Sequence, residues 1–356
     1  MMKHLFCTLL VLGSLSLTAQ VPANYYQNAV NKHGHALRVA LHNIIKNHAQ
    51  ESYSGLWADF YSTDARPDGK VWDIYSDKPN GQTPYLFTFG TDQCGNYSSE
   101  GDCYNREHSV PKSWFNDATP MYTDLFHIYP TDGWVNNKRG NLPYGEVGNA
   151  TWTSLNGSKV GSCSVSGYNG QVFEPIDAYK GDLARTYLYM AVCYMDKNLG
   201  YDQSMFQGGS LKPWALQMML AWCAQDPVSQ KEIDRNNAVY ALQHNRNPFI
   251  DFPVLANMIF GSDTLVDFQT DVDNYVFTSC SVFPNPATDF VQVSVSQTDG
   301  PLNCQLLNIT GQVVWTSTIS EGKETFIIPM QDFPQGVYLL YLHDSHRQAV
   351  QKILKR

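Results

Sequence analysis

One short stretch of the chain, Asn105–Asn141, concentrates side chains suited to acid–base and metal chemistry. Its densest segments are Asn105–His108, Asp124–His127 and Asn136–Asn141. Carboxylate and amide oxygens suit Mg²⁺ or Ca²⁺, a neutral imidazole accepts a proton near neutral pH, and a guanidinium holds a phosphate through paired donors. Together these groups suit metal-assisted hydrolysis of a phosphodiester.

Each residue type has a candidate role in such a site. Glu107 and Asn136 are candidate oxygen ligands for one divalent ion, with water in the remaining positions. His108 is the candidate general base that takes a proton from the attacking water. Arg106 or Arg139 is a candidate to hold the phosphate.

The neighbouring pair Glu107 and His108 constrains the backbone. Successive side chains of a regular strand face opposite sides, so both can serve one site only where the chain leaves strand geometry. Ser109, followed shortly by Pro111, predicts such a departure.

A helix start is expected on the other side of the site. If a helix runs from Gly133 to Gly140, Asn136 and Arg139 are three residues apart and share a face. Asp132 can cap this helix. We therefore expect a strand end facing a helix start, with a divalent ion between them.

Simpler interpretations of the same residues stay open. An adjacent glutamate and histidine are most often surface residues without a catalytic role, so the spacing alone favours a non-catalytic interpretation. His127 is a further catalytic candidate, but it can also be a satisfied core histidine. Arg106 and Arg139 can be structural ion-pair partners of Asp124 or Asp132.

Composition favours an exported globular protein of more than one domain. The chain has 356 residues, 43% of them hydrophobic and 13% aromatic, which is ample for packed cores. Lys3, the apolar run from Leu5 to Leu17 and the small residues ending at Ala19 predict a signal peptide over 1–19. The run is too short to span a bilayer, and we expect a soluble monomer without a membrane span.

Charge and cysteines narrow the class further. A net charge of −9 argues against a broad basic nucleic-acid-binding surface, although an enzyme needs only a local positive groove. Seven cysteines remain once Cys7 is removed, so at least one is unpaired. Cys94 and Cys103 bracket a Gly/Ser/Asn-rich loop and favour a disulfide, since no C-x₂-C pair suggests a zinc site.

Hydrophobic periodicity predicts an α+β unit over 20–262, a linker over 263–281 and a small all-β sandwich over 282–356. Strand-like pieces are expected at Val71–Tyr75 and Tyr85–Phe89, and alternating residues from Phe290 onward predict the sandwich strands. Helical spacing predicts helices within 24–48 and over 182–195, 213–224 and 228–243.

Several separated motifs, in order, resemble the secreted bacterial endonuclease I family, whose members are His-Me finger (ββα-metal) nucleases. The resemblance covers about 24–257. The matching segments are 71–76, 105–113, 124–130, 135–143, 173–175, 180–185 and 245–251.

The resemblance implies a His-Me finger core with flanking helices and a role for each matching residue. His108 matches the family's general base, and Glu107 and Asn136 match its ligands for one Mg²⁺, Ca²⁺ or Mn²⁺ ion. The implied activity is cleavage of DNA, and often RNA, with little sequence preference and with 5′-phosphate ends. One departure is that Phe126 stands where the family often has a first histidine before His127.

The last part of the chain resembles the C-terminal sorting domain of type IX secretion in Bacteroidetes. Phe283–Ala287, Thr310–Gln312, Gly336–Tyr338 and the basic end Lys352–Arg356 carry this resemblance. It implies export to the medium or the cell surface, with the type IX machinery as a partner.

The sequence thus predicts a secreted, non-specific, metal-dependent endonuclease. The alternative from another class is a non-catalytic secreted protein with a structural Ca²⁺ site and a glycan-binding sandwich. A phosphodiesterase for small substrates is a second rival.

Overall fold

The computed structural model describes the chain except residues 1–20, 80, 198, 201, 271–279, 296–299, 309–312, 321, 323–324 and 345–347. The predicted signal peptide, 1–19, lies outside the described residues. The chain divides between Phe268 and Gln269 into two compact units, a break that falls inside the predicted linker.

The first unit mixes helices with short antiparallel strands. Its helices are α1 Gly34–Ile45, α2 Leu56–Thr63, α3 Gly133–Arg139, α4 Lys180–Cys193, α5 Pro213–Gln225, α6 Gln230–Gln243, α7 Pro248–Asp251 and α8 Leu255–Phe260. Its strands are β1 Tyr104–His108, β2 Ile128–Asp132, β3 Val147–Thr153, β4 Lys159–Cys163, β5 Gln171–Glu174, β6 Phe206–Gln207 and β7 Ser210–Leu211.

Helix α4 is the centre of this unit. All of its residues are buried, and it packs against α1 and α5. The four predicted helices are confirmed as α1, α4, α5 and α6. Helix α6 begins at a capping box in which the Ser229 hydroxyl accepts from the Glu232 amide and the Glu232 carboxylate accepts from the Ser229 amide.

The prediction of strands at 71–75 and 85–89 is wrong. Val71 forms an isolated bridge with Ala65 and donates to the Phe87 carbonyl at 3.0 Å, but no ladder follows. The Asp73 carboxylate accepts from the Tyr75 amide at 2.8 Å. This local side-chain bond turns the backbone away from an extended course.

A two-stranded ribbon and a helix position the candidate site. Strands β1 and β2 pair antiparallel from Tyr104–Asp132 to His108–Ile128, and α3 follows β2 directly. The Asp132 carboxylate accepts from the Val135 amide at 2.8 Å, which confirms the predicted helix cap.

A disulfide braces the approach to this motif. Cys94 and Cys103 are bonded, as predicted, with their Cα atoms 5.4 Å apart. The Cys103 carbonyl accepts from the Gly133 amide at 2.9 Å, so the closed loop contacts the start of α3.

Removing this cross-link should lower stability measurably. Closing a loop of this length removes chain entropy equivalent to about 2–3 kcal/mol from the unfolded state. We expect Cys94→Ser/Cys103→Ser to lose about that much free energy of unfolding in urea denaturation. Cys163→Ser, at an unpaired cysteine, is the control, and equal stability of both variants would contradict the bracing role.

The second unit is all β. Its strands are β8 Cys280–Phe283, β9 Phe290–Val295, β10 Leu302–Asn308, β11 Val313–Ile319, β12 Thr325–Pro329, β13 Gly336–His343 and β14 Gln348–Lys355. They form a four-stranded sheet, β11-β10-β13-β14, and a three-stranded sheet, β12-β9-β8. Alternate residues of both sheets contribute to one core, which is the predicted sandwich arrangement.

In the described part of the chain, the helices are all too short or too polar to cross a bilayer.

Candidate active site

The two faces of β1 carry different chemistry. Asn105 and Glu107 contact side chains of α3, whereas Arg106 and His108 contact aromatic rings on the other side. Strand pairing continues through His108, so the predicted departure from strand geometry at Glu107–His108 is wrong. The strand ends instead immediately after His108.

Glu107 and Arg139 form a buried ion pair. Arg139 Nη1 donates to Glu107 Oε1 at 2.8 Å, and the two side chains are 3% and 1% exposed. The Tyr75 hydroxyl donates to the same carboxylate oxygen at 2.9 Å. Burial raises the pKa of Glu107, and the adjacent guanidinium opposes that rise.

Arg139 also holds the backbone where β1 ends. Its guanidinium donates to the carbonyls of His108 and Ser109 and lies 4.7 Å from the centre of the Tyr144 ring. Burial alone would lower its pKa, but Glu107 and neighbouring tyrosines raise it, so the group stays charged. The predicted ion pairing with Asp124 or Asp132 is therefore replaced by pairing with Glu107.

The side chain of Asn136 makes a hydrogen bond through its nitrogen and not through its amide oxygen. Its Nδ2 donates to Asn105 Oδ1 at 2.7 Å, which fixes the orientation of the amide group. Within the described residues, neither Asn136 Oδ1 nor Glu107 Oε2 forms a hydrogen bond with the protein. One hard oxygen on each side chain thus remains open to a ligand.

His108 is held in one tautomer. Its Nε2 lies 3.0 Å from the Tyr122 carbonyl, which can only accept, so this nitrogen carries the hydrogen. Burial, and then the nearby His127, lower the pKa of His108 to about 3. The ring is therefore neutral at neutral pH, and its Nδ1 lone pair is free to accept a proton.

Arg106 lies on the His108 side of β1, between two aromatic rings. The guanidinium carbon is 3.7 Å from the centre of the Tyr53 ring and 4.4 Å from that of Trp57. Nη1 donates to the Tyr53 carbonyl at 2.6 Å, while Nε is buried without a partner. The residue is partly exposed, so its remaining donors can reach a bound group.

His127 lies in the core behind His108. The two ring centres are 5.5 Å apart, and His127 Nε2 donates to the Met121 carbonyl at 2.6 Å. The side chain is fully buried. A fully buried side chain can support His108 but cannot contact a substrate directly.

Burial of His127 makes stability depend on pH. Burial, opposed by Asp124, lowers its pKa to about 4, below about 6.5 for an exposed histidine. The unfolded chain therefore binds more protons below pH 6.5, and stability decreases as pH falls towards 4.

We expect His127→Gln to remove about 2 kcal/mol of the stability difference between pH 7.5 and pH 5. The glutamine amide can still donate to the Met121 carbonyl. Urea denaturation at the two pH values measures the effect, with exposed His35→Gln as control. An unchanged pH dependence in His127→Gln would show that another group is responsible.

A second group of potential ligands is engaged in hydrogen bonds. Single atoms of His48, Asp124 and Cys193 lie within 4.8 Å of one another. The Asp124 carboxylate already accepts from the Tyr189 and Tyr194 hydroxyls at 2.8 and 2.7 Å. This cluster is explained as a buried polar network.

The structure therefore places Glu107, Asn136 and Arg139 between β1 and α3, whereas the His108 side chain lies on the other face of β1, at its end. The sequence did not single out Tyr75, Tyr53 or Tyr122 as site residues. Tyr75 lies within the Val71–Ser76 motif, which was a usable signal. Tyr53 lies in a turn and Tyr122 in the short 3-10 helix Met121–Thr123, and neither belongs to a matching motif.

Comparison with known proteins identifies the family. The model of the endonuclease I family matches residues 33–254, and that of the secretion system C-terminal sorting domain matches residues 281–356. An extracellular ribonuclease of Bacillus amyloliquefaciens is 36% identical over 245 residues, which cover 66% of this chain and 78% of the relative. An extracellular ribonuclease of Bacillus subtilis is 34% identical over 244 residues, with the same shares.

A more distant relative has a different named activity. An extracellular deoxyribonuclease of Aeromonas hydrophila is 28% identical over 133 residues, 37% of this chain and 50% of the relative. The chain therefore belongs to the endonuclease I family of nucleases, carries a type IX secretion C-terminal sorting domain and is a secreted or cell-surface protein.

Proposed function

We propose that this protein is a non-specific endonuclease that hydrolyses phosphodiester bonds of DNA and RNA with one divalent ion. The observation that carries the proposal is the arrangement of one ββα motif: Glu107 and Asn136 lie between β1 and α3, His108 ends β1, and buried Arg139 contacts both Glu107 and the His108 carbonyl. The relatives named as ribonucleases and deoxyribonucleases support both substrates.

The residues present fit a hard divalent cation. Glu107 Oε2 and Asn136 Oδ1 are the donors that Mg²⁺, Mn²⁺ or Ca²⁺ prefers, and their own hydrogen bonds fix both side chains. When bound, such an ion supplies positive charge against the developing charge on the phosphoryl oxygens.

His108 supplies the base. Its Nδ1 takes a proton from a water molecule while the water oxygen attacks phosphorus, and the Tyr122 carbonyl holds the ring in place. The P–O3′ bond breaks, O3′ takes a proton from solvent, and the phosphate stays bonded to O5′ of the downstream fragment, which gives a 5′-phosphate end. The imidazolium that forms then returns its proton to solvent, which restores the neutral ring for the next turnover.

The other candidates have different tasks. Arg106 is partly exposed and offers its remaining donors to a phosphate oxygen. Arg139 and His127 are buried and act as positioning residues, for Glu107 and for His108 respectively.

A digestion with a chelator control tests this function. Full-length protein should convert supercoiled DNA and a long RNA into fragments in Mg²⁺, stop in EDTA, and resume when Mg²⁺ is added back. End-labelling should find 5′-phosphates. Binding of Ca²⁺ or glycan without any cleavage would instead support the non-catalytic alternative, and cleavage of a nitrophenyl phosphodiester but not of DNA or RNA would support a small-molecule phosphodiesterase.

A further inference from the structure

Four side chains form a continuous stack beside His108, which we call the stacking column: Trp57, Arg106, Tyr53 and Tyr122. The Arg106 guanidinium lies between Trp57 and Tyr53, 4.4 and 3.7 Å from their ring centres. The Tyr53 and Tyr122 rings stack at 4.6 Å between centres with an interplanar angle of 24°. Tyr122 is the end of the column, and Lys112 Nζ lies 5.4 Å from its ring centre.

The ring of His108, the proposed general base, lies alongside the stacking column. The His108 ring is nearly parallel to Tyr122 and Tyr53, with angles of 17° and 23° and centre distances of 5.3 and 6.1 Å. The two tyrosine ring centres are 4.6 Å apart, so the three centre-to-centre distances are similar and His108 does not extend the stack. His108 therefore lies beside the tyrosine pair, and a group stacked on Tyr122 would be a neighbour of the imidazole.

The chemistry of the column suits one part of a nucleic acid. Tyr53, Tyr122, Trp57 and Arg106 are all partly exposed, and Lys112 is exposed. Aromatic faces stack on bases whatever their identity, and adjacent cations hold the backbone phosphates. These cations stand out because the whole chain carries a net charge of −9.

A purely structural role leaves part of this arrangement unexplained. Packing accounts for the partial burial of the rings, and an ion pair with Asp117 at 3.5 Å accounts for the position of Lys112, but neither requires a guanidinium inserted between two rings beside His108. Arg106 and Lys112 occupy different positions. Arg106 is inserted within the column, and Lys112 lies at its Tyr122 end.

We propose that the Tyr122 end of the stacking column is a binding subsite for one unpaired base next to the scissile phosphate. This inference rests on the proposed nuclease function and adds a preference for unpaired over paired nucleotides. The base stacks on Tyr122, Lys112 contacts the adjacent phosphate, and Arg106 faces the phosphate beside His108.

The preference for single strands follows from stacking itself. In a duplex both faces of a base are covered by its neighbours, so a base must leave the helix before it can stack on a protein ring. An unpaired base pays no such cost, which favours loops, ends and single strands.

Oligonucleotides with one abasic position test the subsite. Each has a single hydrolysable phosphodiester among nuclease-resistant linkages, and an abasic spacer replaces each flanking nucleotide in turn. For wild type we expect kcat/KM to fall about 10-fold at one position, which corresponds to about 1.4 kcal/mol. Tyr122→Leu should reduce this ratio between intact and abasic substrate to about 1.

Matched variants separate stacking from folding. Tyr122→Phe keeps the ring and should keep the ratio near 10. Tyr168→Leu removes another partly exposed tyrosine, stacked on Trp214 at 4.7 Å in a different loop, and should also keep it. Equal rates on intact and abasic substrates with wild type, or a ratio retained by Tyr122→Leu, would overturn the proposal.

A binding measurement distinguishes failure of the subsite from failure of the nuclease assignment. In His108→Ala with Ca²⁺, a single-stranded oligonucleotide containing 2-aminopurine should lose fluorescence on binding, and His108→Ala/Tyr122→Leu should not quench it. If wild type cleaves nothing, the function fails, while quenching that depends on Tyr122 still supports the base subsite. Absence of quenching in both proteins overturns the subsite.

Discussion

His108→Ala is expected to reduce cleavage of supercoiled DNA by 100-fold or more while the protein stays folded. Its Nδ1 is the free proton acceptor at the end of β1, and a positioned general base contributes about 10²–10⁴-fold to rate. The single-turnover rate constant, measured with enzyme in saturating excess over DNA and with saturating Mg²⁺, reports this loss without a contribution from substrate binding.

The matched control is His35→Ala, at an exposed histidine of α1. It should cleave like wild type. The thermal midpoints of both variants show whether the fold is retained. Full activity of His108→Ala would contradict the proposal that His108 is the general base.

Arg139→Met is expected to destabilise the first unit by about 3–5 kcal/mol. The change leaves the Glu107 carboxylate buried without its partner, and removal of one member of a buried ion pair costs about that much. It also releases the carbonyls of His108 and Ser109. Urea denaturation measures the loss, and cleavage should fall with it even at temperatures where the variant is folded.

Lys138→Met is the neighbouring control. Lys138 is partly exposed and lies over Trp134, so its loss should cost less than about 1 kcal/mol. The double variant Glu107→Gln/Arg139→Met should be more stable than Arg139→Met, because no charge is left unpaired. Additive effects of the two substitutions would show that the pair is not coupled.

Patterns within one segment predicted local structure well. The periodic apolar residues of α4 and the Asp132 cap of α3 are read from neighbouring positions in the chain. The family resemblance and the sorting domain were also confirmed. Helix periodicity and helix caps involve residues close together in the chain, so the sequence shows them directly.

Contacts between distant segments were not predictable in this way. Nothing in the spacing of Arg139 shows that it pairs with Glu107, 32 positions earlier. Tyr53 stacks on Tyr122 from a distant segment of the chain. At 71–75 the β-branched and aromatic residues suggested a strand, but the Asp73 side chain competes for the backbone and forms a turn.

The central claim is that Glu107 and Asn136 bind one divalent ion next to His108. Calorimetric titration of Mg²⁺ into full-length wild type, Glu107→Gln and Asn136→Ala tests it most directly, with Asn137→Ala, an exposed neighbour in α3, as control. We predict one site in wild type and in Asn137→Ala, and binding at least 10-fold weaker in the other two variants. Mg²⁺ affinity equal to that of wild type in both Glu107→Gln and Asn136→Ala would contradict the account.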